Sequence, residues 1–157
     1  MSRGISLNDA DRIPWLLKIK KEINTAINGD PEEANSMVVV VVACSALKRT
    51  YRNILLRGES DEFRMQQDSK VEISKQNSSS TVKMVFVLLE CSYNILNQRL
   101  QTRQSHFMKS DLLLSQLETL EKPDAQEKNC MIVDAEKPVS QIVECIWRSL
   151  PKYVKVS

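Results

Sequence analysis

Residues Met37–Ala43 (MVVVVVA) form an uninterrupted apolar run that contains five consecutive valines. Valine is stiff in a helix and packs well on pleated sheet, so the run predicts a β-strand. Because no polar residue alternates with the valines, we expect both faces of this strand to be buried, as in a parallel strand covered by helices. The stretch therefore indicates an α/β fold.

Two more apolar runs repeat this pattern. Val82–Leu89 and Cys130–Val133 also predict strands. Each of the three runs is followed by a helical pattern, and we expect Ser45 and Ser92 to cap the first two helices and Pro138 to open the third. Three strand–helix units in series are typical of a parallel sheet with helices packed on it.

The rest of the chain is predicted to be helical or irregular. A first amphipathic helix is expected to begin near Pro14 and to end at the turn residues 28–31, with its apolar face formed by Leu16, Ile19, Ile23 and Ile27. Another helix is expected near Ser110–Leu120. Residues 57–81 are polar and show no sustained period, which predicts a flexible insertion.

Composition excludes several classes of function. The 157 residues suit one domain, and 22 Lys+Arg against 20 Asp+Glu give a net charge of only +2, so we expect neither a nucleic acid nor a membrane surface as partner. A single His excludes zinc sites that need two imidazoles, and we expect no metal site in the chain itself. Only Gly4, Gly29 and Gly58 are glycines, and none lies near another, so the chain has no phosphate-binding loop of the GxxxxGK or GxGxxG kind.

The four cysteines lack CxxC spacing, and three lie in or beside apolar runs. We expect no signal peptide, and the sequence contains no apolar stretch long enough to span a bilayer. Reduced thiols and a cytoplasmic location are therefore expected.

Polar residues that follow the valine run form the first candidate site. Ser45 offers a hydroxyl, and Lys48 and Arg52 offer cations one and two turns later. Ligands of open parallel sheets lie beyond the carboxyl ends of the strands, so these residues suit a hydroxylated or anionic small molecule. The alternative is an ordinary N-cap followed by solvated basic residues.

A pair of arginines forms the second candidate site. Arg99 and Arg103 share one face of a helix, where they could stabilise a transferring phosphoryl group. The alternative is a solvated basic face. His106 is the only imidazole, and a structural hydrogen bond is its simpler role.

Leu7–Arg12 (LNDADR) is the third candidate. Its acidic residues either complement the dipole of a helix, or Asp11 and Arg12 face a polyhydroxy ligand. The spacing does not decide between these.

Five segments, in this order along the chain, resemble the bacterial and animal gluconokinases, which are small kinases of the P-loop superfamily. They are Leu7–Leu16 (LNDADRIPWL), Ala43–Arg52 (ACSALKRTYR), Arg99–Met108 (RLQTRQSHFM), Leu113–Glu121 (LLSQLETLE) and Val133–Pro138 (VDAEKP). The resemblance covers most of the chain outside residues 57–81.

The resemblance implies a three-layer P-loop kinase-like α/β fold with a parallel sheet. It implies one partial domain over residues 1–157, with a lid over residues 103–121. The family's first strand, phosphate-binding loop, first helix and second strand precede the region where this chain begins. In the family's sheet the first strand lies between the strands that match Met37–Ala43 and Val82–Leu89. We therefore expect each of these two strands to have one edge without a neighbour. The expected result is less cooperative folding, or aggregation through the valine strand.

The family reaction transfers the γ-phosphoryl group of ATP to the 6-hydroxyl of D-gluconate with Mg²⁺. The resemblance therefore implies D-gluconate as substrate and ATP and Mg²⁺ as cofactors, and it allows a homodimer, because family members are often dimers. Since the chain contains no phosphate-binding loop, we expect negligible turnover by the chain alone. The alternative is a catalytically silent gluconate-binding or regulatory module.

The resemblance also implies roles for individual residues. The gluconate side would be formed by Asp11, Arg12, Ser45, Lys48, Arg52 and His106. Arg99 and Arg103 would be catalytic residues at the base of the lid. Arg103 and Pro138 would contact the nucleotide.

Overall fold

The structure, a computed structural model, describes residues 7–28, 38–58, 83–102 and 110–154. Its elements in chain order are α1 (Asp9–Asn28), α2 (Arg49–Arg57), β1 (Phe86–Glu90), α3 (Tyr93–Thr102), α4 (Ser110–Thr119), β2 (Cys130–Asp134) and α5 (Val139–Tyr153). They fall into two compact units, of which the first contains α1 and α2 and the second contains the other elements. Among the described helices, none combines the length and the apolar character that crossing a membrane requires.

Helix α1 begins earlier than Pro14 predicts. The backbone N–H of Asp11 donates to Oδ1 of Asn8 at 2.9 Å, and the N–H of Asn8 donates to Oδ2 of Asp11 at 3.1 Å. This reciprocal pair is a capping box, which satisfies two backbone donors that a helix start leaves without partners. The helix therefore starts at Asp9, and Pro14 lies inside it rather than at its first position.

The start of α2 corrects the prediction that Ser45 caps this helix. The helix begins at Arg49, and Lys48 occupies the N-cap position with an extended backbone and no side-chain cap bond. One guanidinium nitrogen of Arg52 donates to the carbonyls of residues 46 and 47, at 3.1 and 3.4 Å. The carbonyls of residues 46 and 47 thus accept hydrogen bonds from a side chain of α2. Residues 45–48 lie before the helix.

The end of α2 is fixed by a glycine. Gly58 has φ +81° and donates its N–H to the carbonyl of Ile54 at 2.7 Å. This left-handed cap satisfies one of the last helix carbonyls, and Nζ of Lys20 binds another, that of Leu56, at 3.1 Å. A cation is also favoured at this end of the helix dipole.

Helices α1 and α2 pack against each other through one apolar face each. The buried apolar side chains of this first unit are Leu16, Ile23, Tyr51, Ile54 and Leu55. Two arginines, Arg12 and Arg52, are also buried, each with 4% of its surface exposed.

The predicted buried strand at Met37–Ala43 is wrong over its described residues, 38–43. They form no strand, and the side chains of Val38–Val42 are 37–90% exposed. A strand needs a neighbour to complete its ladder of backbone hydrogen bonds. None of the described segments supplies one to the valines, since β1 pairs with β2 instead.

The second unit is built on the other two predicted strands. Strands β1 and β2 are parallel, with a register that runs from Phe86 opposite Cys130 to Glu90 opposite Asp134. This confirms the α/β class and the parallel pairing, although β1 begins four residues later than the run Val82–Leu89 suggests. The predicted helices after the two strands, and the one near residues 110–120, are confirmed as α3, α5 and α4.

The core of this second unit is small. Its buried apolar side chains are Leu112, Leu113, Met131, Val133 and Ala135. Helix α5 packs on β2 but buries no residue fully, and Val139, Val143 and Trp147 are more than half exposed. All four cysteines lie in the described residues and are free, as the sequence predicts.

Candidate functional site

Four polar side chains of the first unit form a cluster, which we call the Asp9 cluster: Asp9, Arg12, Lys48 and Tyr51. Asp9 and Arg12 lie one turn apart on α1, and Lys48 and Tyr51 lie one turn apart at the start of α2. Nζ of Lys48 is 2.8 Å from both carboxylate oxygens of Asp9, and the hydroxyl of Tyr51 donates to Oδ1 at 2.5 Å. The packing of α1 on α2 thus brings together residues that are about forty positions apart in the sequence.

The partners of Asp9 favour its charged form. The hydrogen bond from Lys48 is the largest influence and that from Tyr51 the second, and together with the charges of Lys48 and Arg12 they lower the pKa of the carboxyl below its ordinary value. Partial desolvation acts in the opposite direction and is outweighed. Asp9 is therefore a carboxylate at neutral pH that accepts hydrogen bonds and donates none.

Two cations lie near the ring of Tyr51. Cζ of Arg12 is 5.9 Å from the ring centroid, and Nζ of Lys48 is 5.6 Å from it, within the range of cation–π attraction. Nε of Arg12 donates to the carbonyl of Leu7 at 3.2 Å, whereas its terminal nitrogens have no hydrogen-bond partner among the described residues. The cluster thus holds two positive charges and one negative charge, and this excess suits an anionic ligand.

The other predicted residues of this unit have structural partners. The carboxylate of Asp11 closes the capping box of α1, and Arg52 is buried against the backbone before α2. Ser45 is half-buried in the segment that leads into α2. Of the residues predicted for the gluconate side that the structure describes, Arg12 and Lys48 therefore belong to the Asp9 cluster, and Asp11, Ser45 and Arg52 do not.

In the second unit, a group of polar residues lies just after the carboxyl ends of β1 and β2. The carbonyl of Glu90 accepts a bond from Ala135 at 2.7 Å, which continues the pairing beyond the strands. Oε1 of Glu136 accepts the N–H of Ser92 at 2.9 Å, at the start of α3. Hydrogen bonds from the hydroxyl and the N–H of Ser92 hold the pKa of Glu136 below its ordinary value, with a further contribution from the charge of Arg99.

Arg99 and Pro138 are both in this second unit. Arg99 is exposed near the end of α3, with one guanidinium nitrogen 3.9 Å from Sγ of Cys91. Pro138 precedes α5, and its carbonyl accepts bonds from Gln141 and Ile142 at 3.0 and 3.1 Å. Arg103 and His106, which the sequence places in the lid, lie outside the described residues.

The starts of α3 and α5 do not fit the phosphates of a nucleotide. Phosphates bind where a helix start offers free N–H groups, but at α3 the carboxylate of Glu136 already occupies this position. Helix α5 follows a proline, which has no N–H, and Gly58, the one glycine among the described residues, caps the end of α2. In these same ranges, no group of three His, Cys, Asp or Glu side chains could hold a metal ion.

The sequence interpretation named Asp11 as a site residue, included Asp9 only as part of the segment Leu7–Arg12, and did not name Tyr51. Helical spacing carried a usable signal, because Asp9 lies three residues before Arg12 and Tyr51 lies three residues after Lys48. Residues three apart share a helix face, so Asp9, and not Asp11, accompanies Arg12. The bond between Asp9 and Lys48 depends on the packing of the two helices, which the sequence does not reveal.

Known proteins resemble this chain over almost its whole length. A probable gluconokinase of Mus musculus is 38% identical over 151 residues, which cover 96% of this chain and 74% of the mouse protein. A probable gluconokinase of Xenopus tropicalis is 39% identical over 143 residues, covering 91% of this chain and 67% of the frog protein. The crystal structure of a gluconokinase from Sinorhizobium meliloti 1021 matches with a TM-score of 0.66 and 34% identity, over 99% of this chain and 70% of the other. No protein-family model matches the chain.

Proposed function

The chain belongs to the gluconokinase family, and from this premise we propose that it binds D-gluconate at the Asp9 cluster. The observation that carries the proposal is the bond of Lys48 and Tyr51 to one carboxylate, beside the buried guanidinium of Arg12. D-gluconate has a carboxylate at one end and hydroxyl groups along its chain, so it needs both cations and hydrogen-bond acceptors.

The groups of the Asp9 cluster match these needs. Lys48 is 27% exposed and Asp9 is 52% exposed, so both are accessible to a ligand that approaches from solvent. The ammonium of Lys48 would attract the carboxylate of gluconate, and the carboxylate of Asp9 would accept bonds from its hydroxyls. Arg12, of which 4% is exposed, lies near the ring of Tyr51 and adds positive charge to the cluster.

We further propose that the 157 residues of this chain do not transfer phosphoryl groups from ATP at a useful rate. The family consists of ATP-dependent kinases, and such transfer depends on holding the triphosphate and Mg²⁺ in line with the acceptor hydroxyl. The three separated glycines and the occupied start of α3 supply no such cradle. Binding of the acceptor would therefore persist without turnover.

Calorimetric titration of the chain with D-gluconate tests the binding proposal. Lys48→Met keeps most of the side-chain volume but removes the charge, and we expect it to weaken binding at least about tenfold, because bonds to charged groups contribute about 1.5–3 kcal/mol. Tyr51→Phe keeps the ring and removes only the hydroxyl, and a smaller loss is expected. Lys18→Met, at an exposed position of α1, is the matched control and should bind as the unmodified chain does.

Three outcomes would overturn the binding proposal: no heat of binding with the unmodified chain, equal affinity in Lys48→Met, or an equal loss in Lys18→Met. Circular dichroism of each variant separates loss of binding from loss of fold.

Two further properties are part of the proposal. A cytoplasmic location fits the four free thiols, which reducing compartments preserve. A homodimer is consistent with the family, whose members are often dimers. Sedimentation of the chain at several concentrations would test this.

A further inference from the structure

The more exposed cation of the Asp9 cluster is already paired within the protein. Nζ of Lys48 lies 2.8 Å from both carboxylate oxygens of Asp9. The side chains of Lys48 and Asp9 are both accessible, whereas Arg12 is buried. A ligand carboxylate that approaches Lys48 from solvent therefore meets the carboxylate of Asp9 at the same place.

This arrangement disfavours the binding of an acid that has no hydroxyl groups. Asp9 is a carboxylate at neutral pH, so it and the ligand carboxylate would repel each other beside one shared ammonium. Neither carboxylate can donate a hydrogen bond to the other. The buried charge of Arg12 attracts acids with and without hydroxyl groups, so it does not discriminate between them.

A hydroxyl group in the ligand changes this balance. A carboxylate can accept about four hydrogen bonds, two at each oxygen. Oδ1 of Asp9 accepts from both Lys48 and Tyr51, whereas Oδ2 accepts from Lys48 alone among the described residues. Oδ2 can therefore accept one more bond, and a ligand hydroxyl that donates it replaces a repulsive contact by a charge-assisted hydrogen bond.

The distances within the cluster limit the position of this hydroxyl in the ligand. The carboxylate of the ligand has to reach Nζ of Lys48 while the hydroxyl reaches Oδ2 of Asp9, and these two atoms are only 2.8 Å apart. A hydroxyl on the carbon next to the carboxylate meets this condition without any folding of the ligand chain. Such acids are 2-hydroxy acids, and D-gluconate is one of them.

We propose that Asp9 is a specificity-determining residue, which selects 2-hydroxy acids and lowers the affinity of the site for carboxylates without hydroxyl groups. The proposal rests on the proposed binding of D-gluconate and adds to it the class of acids that the site accepts. Its distinctive consequence is that removal of the Asp9 carboxylate strengthens the binding of an acid without hydroxyl groups.

Titration of the chain with 2-hydroxyhexanoate and with hexanoate, which differ by one hydroxyl, tests the proposal, and D-gluconate serves as the reference ligand. The unmodified chain should bind 2-hydroxyhexanoate at least about tenfold more tightly than hexanoate, because the hydroxy acid makes one more bond to a charged group. Asp9→Asn should bind hexanoate more tightly than the unmodified chain does, and it should lose most of the preference for the hydroxy acid. Asp9→Ala, which also removes the carboxylate and suits a helix, is a second variant with the same expectation.

Two further variants show where the effect arises. Glu22→Gln removes the same charge at an exposed position about 20 Å further along α1, and it should keep the preference of the unmodified chain. In the double variant of Asp9→Asn with Lys48→Met, the gain in hexanoate binding should disappear, because the ammonium that holds the carboxylate is gone.

The outcomes separate this proposal from the one on which it rests. If the unmodified chain does not bind D-gluconate, the proposed function fails and the selection by Asp9 fails with it. If D-gluconate binds but the preference between the two hexanoates is absent, or is unchanged in both Asp9 variants, the role of Asp9 alone is overturned. It is equally overturned by the same change in Glu22→Gln, or by a gain in hexanoate binding that persists in the double variant. Circular dichroism shows whether each variant retains its helices.

Discussion

Individual side chains of the Asp9 cluster serve the fold and the proposed site together. Tyr51 is 1% exposed, so its ring belongs to the core between α1 and α2, while its hydroxyl binds the half-exposed carboxylate of Asp9. Lys48 sits at the N-cap position of α2 and yet uses its side chain on α1. The same contacts that hold the two helices together therefore preorganise the groups that would meet a ligand.

The lowered pKa of Asp9 predicts a pH-dependent contribution to stability. Because this pKa is lower in the folded than in the unfolded state, the contribution is fully present above the unfolded-state pKa of about 3.9 and is lost as the pH falls through the folded-state value. Asp9→Asn keeps the shape and removes the charge. We expect it to be less stable at neutral pH by at most about 1 kcal/mol, since the carboxylate is half exposed.

Thermal unfolding of the unmodified chain and of Asp9→Asn, from neutral pH down to about pH 3, measures this contribution. The difference in Tm should shrink as the pH falls. A difference that is constant or grows in acid would show that the carboxylate of Asp9 is not stabilised by its partners. Lys18→Met, at an exposed position of α1, serves as the control, and its Tm difference should not follow the pattern of Asp9→Asn.

At the scale of elements, the packing of α1 on α2 gives a direct comparison between neighbours in sequence. Leu16 is 0% exposed and Leu17 is 41% exposed. Leu16→Ala should cost about 2–5 kcal/mol, because it removes buried surface and leaves a cavity, and Leu17→Ala should cost less than about 1 kcal/mol. Denaturation by urea measures both, and equal losses would show that α1 does not bury the face described.

The glycine that ends α2 gives a second prediction. A Cβ at Gly58 would meet only Cγ of Lys20, at 4.0 Å, which is ordinary contact, so space does not require glycine there. The backbone conformation favours glycine, because φ of Gly58 is +81°, in the left-handed region. Gly58→Ala should therefore cost about 1–2 kcal/mol, and Gly58→Asn should cost less, since asparagine tolerates this conformation. The same loss in both variants would indicate a steric and not a conformational cause.

The elements also show what a sequence can reveal. Strands Phe86–Glu90 and Cys130–Asp134 and the helices after them were predictable, because each apolar run is followed by a helical pattern and the strands supply each other's hydrogen bonds. The valine run carried the strongest strand signal and yet forms no strand in residues 38–43, because pairing depends on a neighbour and not on propensity alone. Start positions were less predictable, since side chains such as Asp11 and Arg52 decide them.

At the scale of the whole molecule, the family is established by similarity, whereas acceptor binding is proposed from the Asp9 cluster. The identity of 38% to the mouse relative and the TM-score of 0.66 to the bacterial structure place the chain in the gluconokinase family. The Asp9 cluster provides charges suited to a sugar acid, and the chain contains no loop suited to a triphosphate. We therefore expect these 157 residues to bind the acceptor without transferring a phosphoryl group to it.

The most direct test is the phosphorylation of D-gluconate by the purified 157-residue chain with ATP and Mg²⁺, followed by ³¹P NMR. We expect no 6-phosphogluconate above the rate without protein. Typical kinases turn over about 1–100 times per second, so a retained activity would be evident within minutes. Sustained product formation that Lys48→Met abolishes would contradict the account, because it would show that the 157 residues bind the acceptor and also position a nucleotide without a glycine-rich loop.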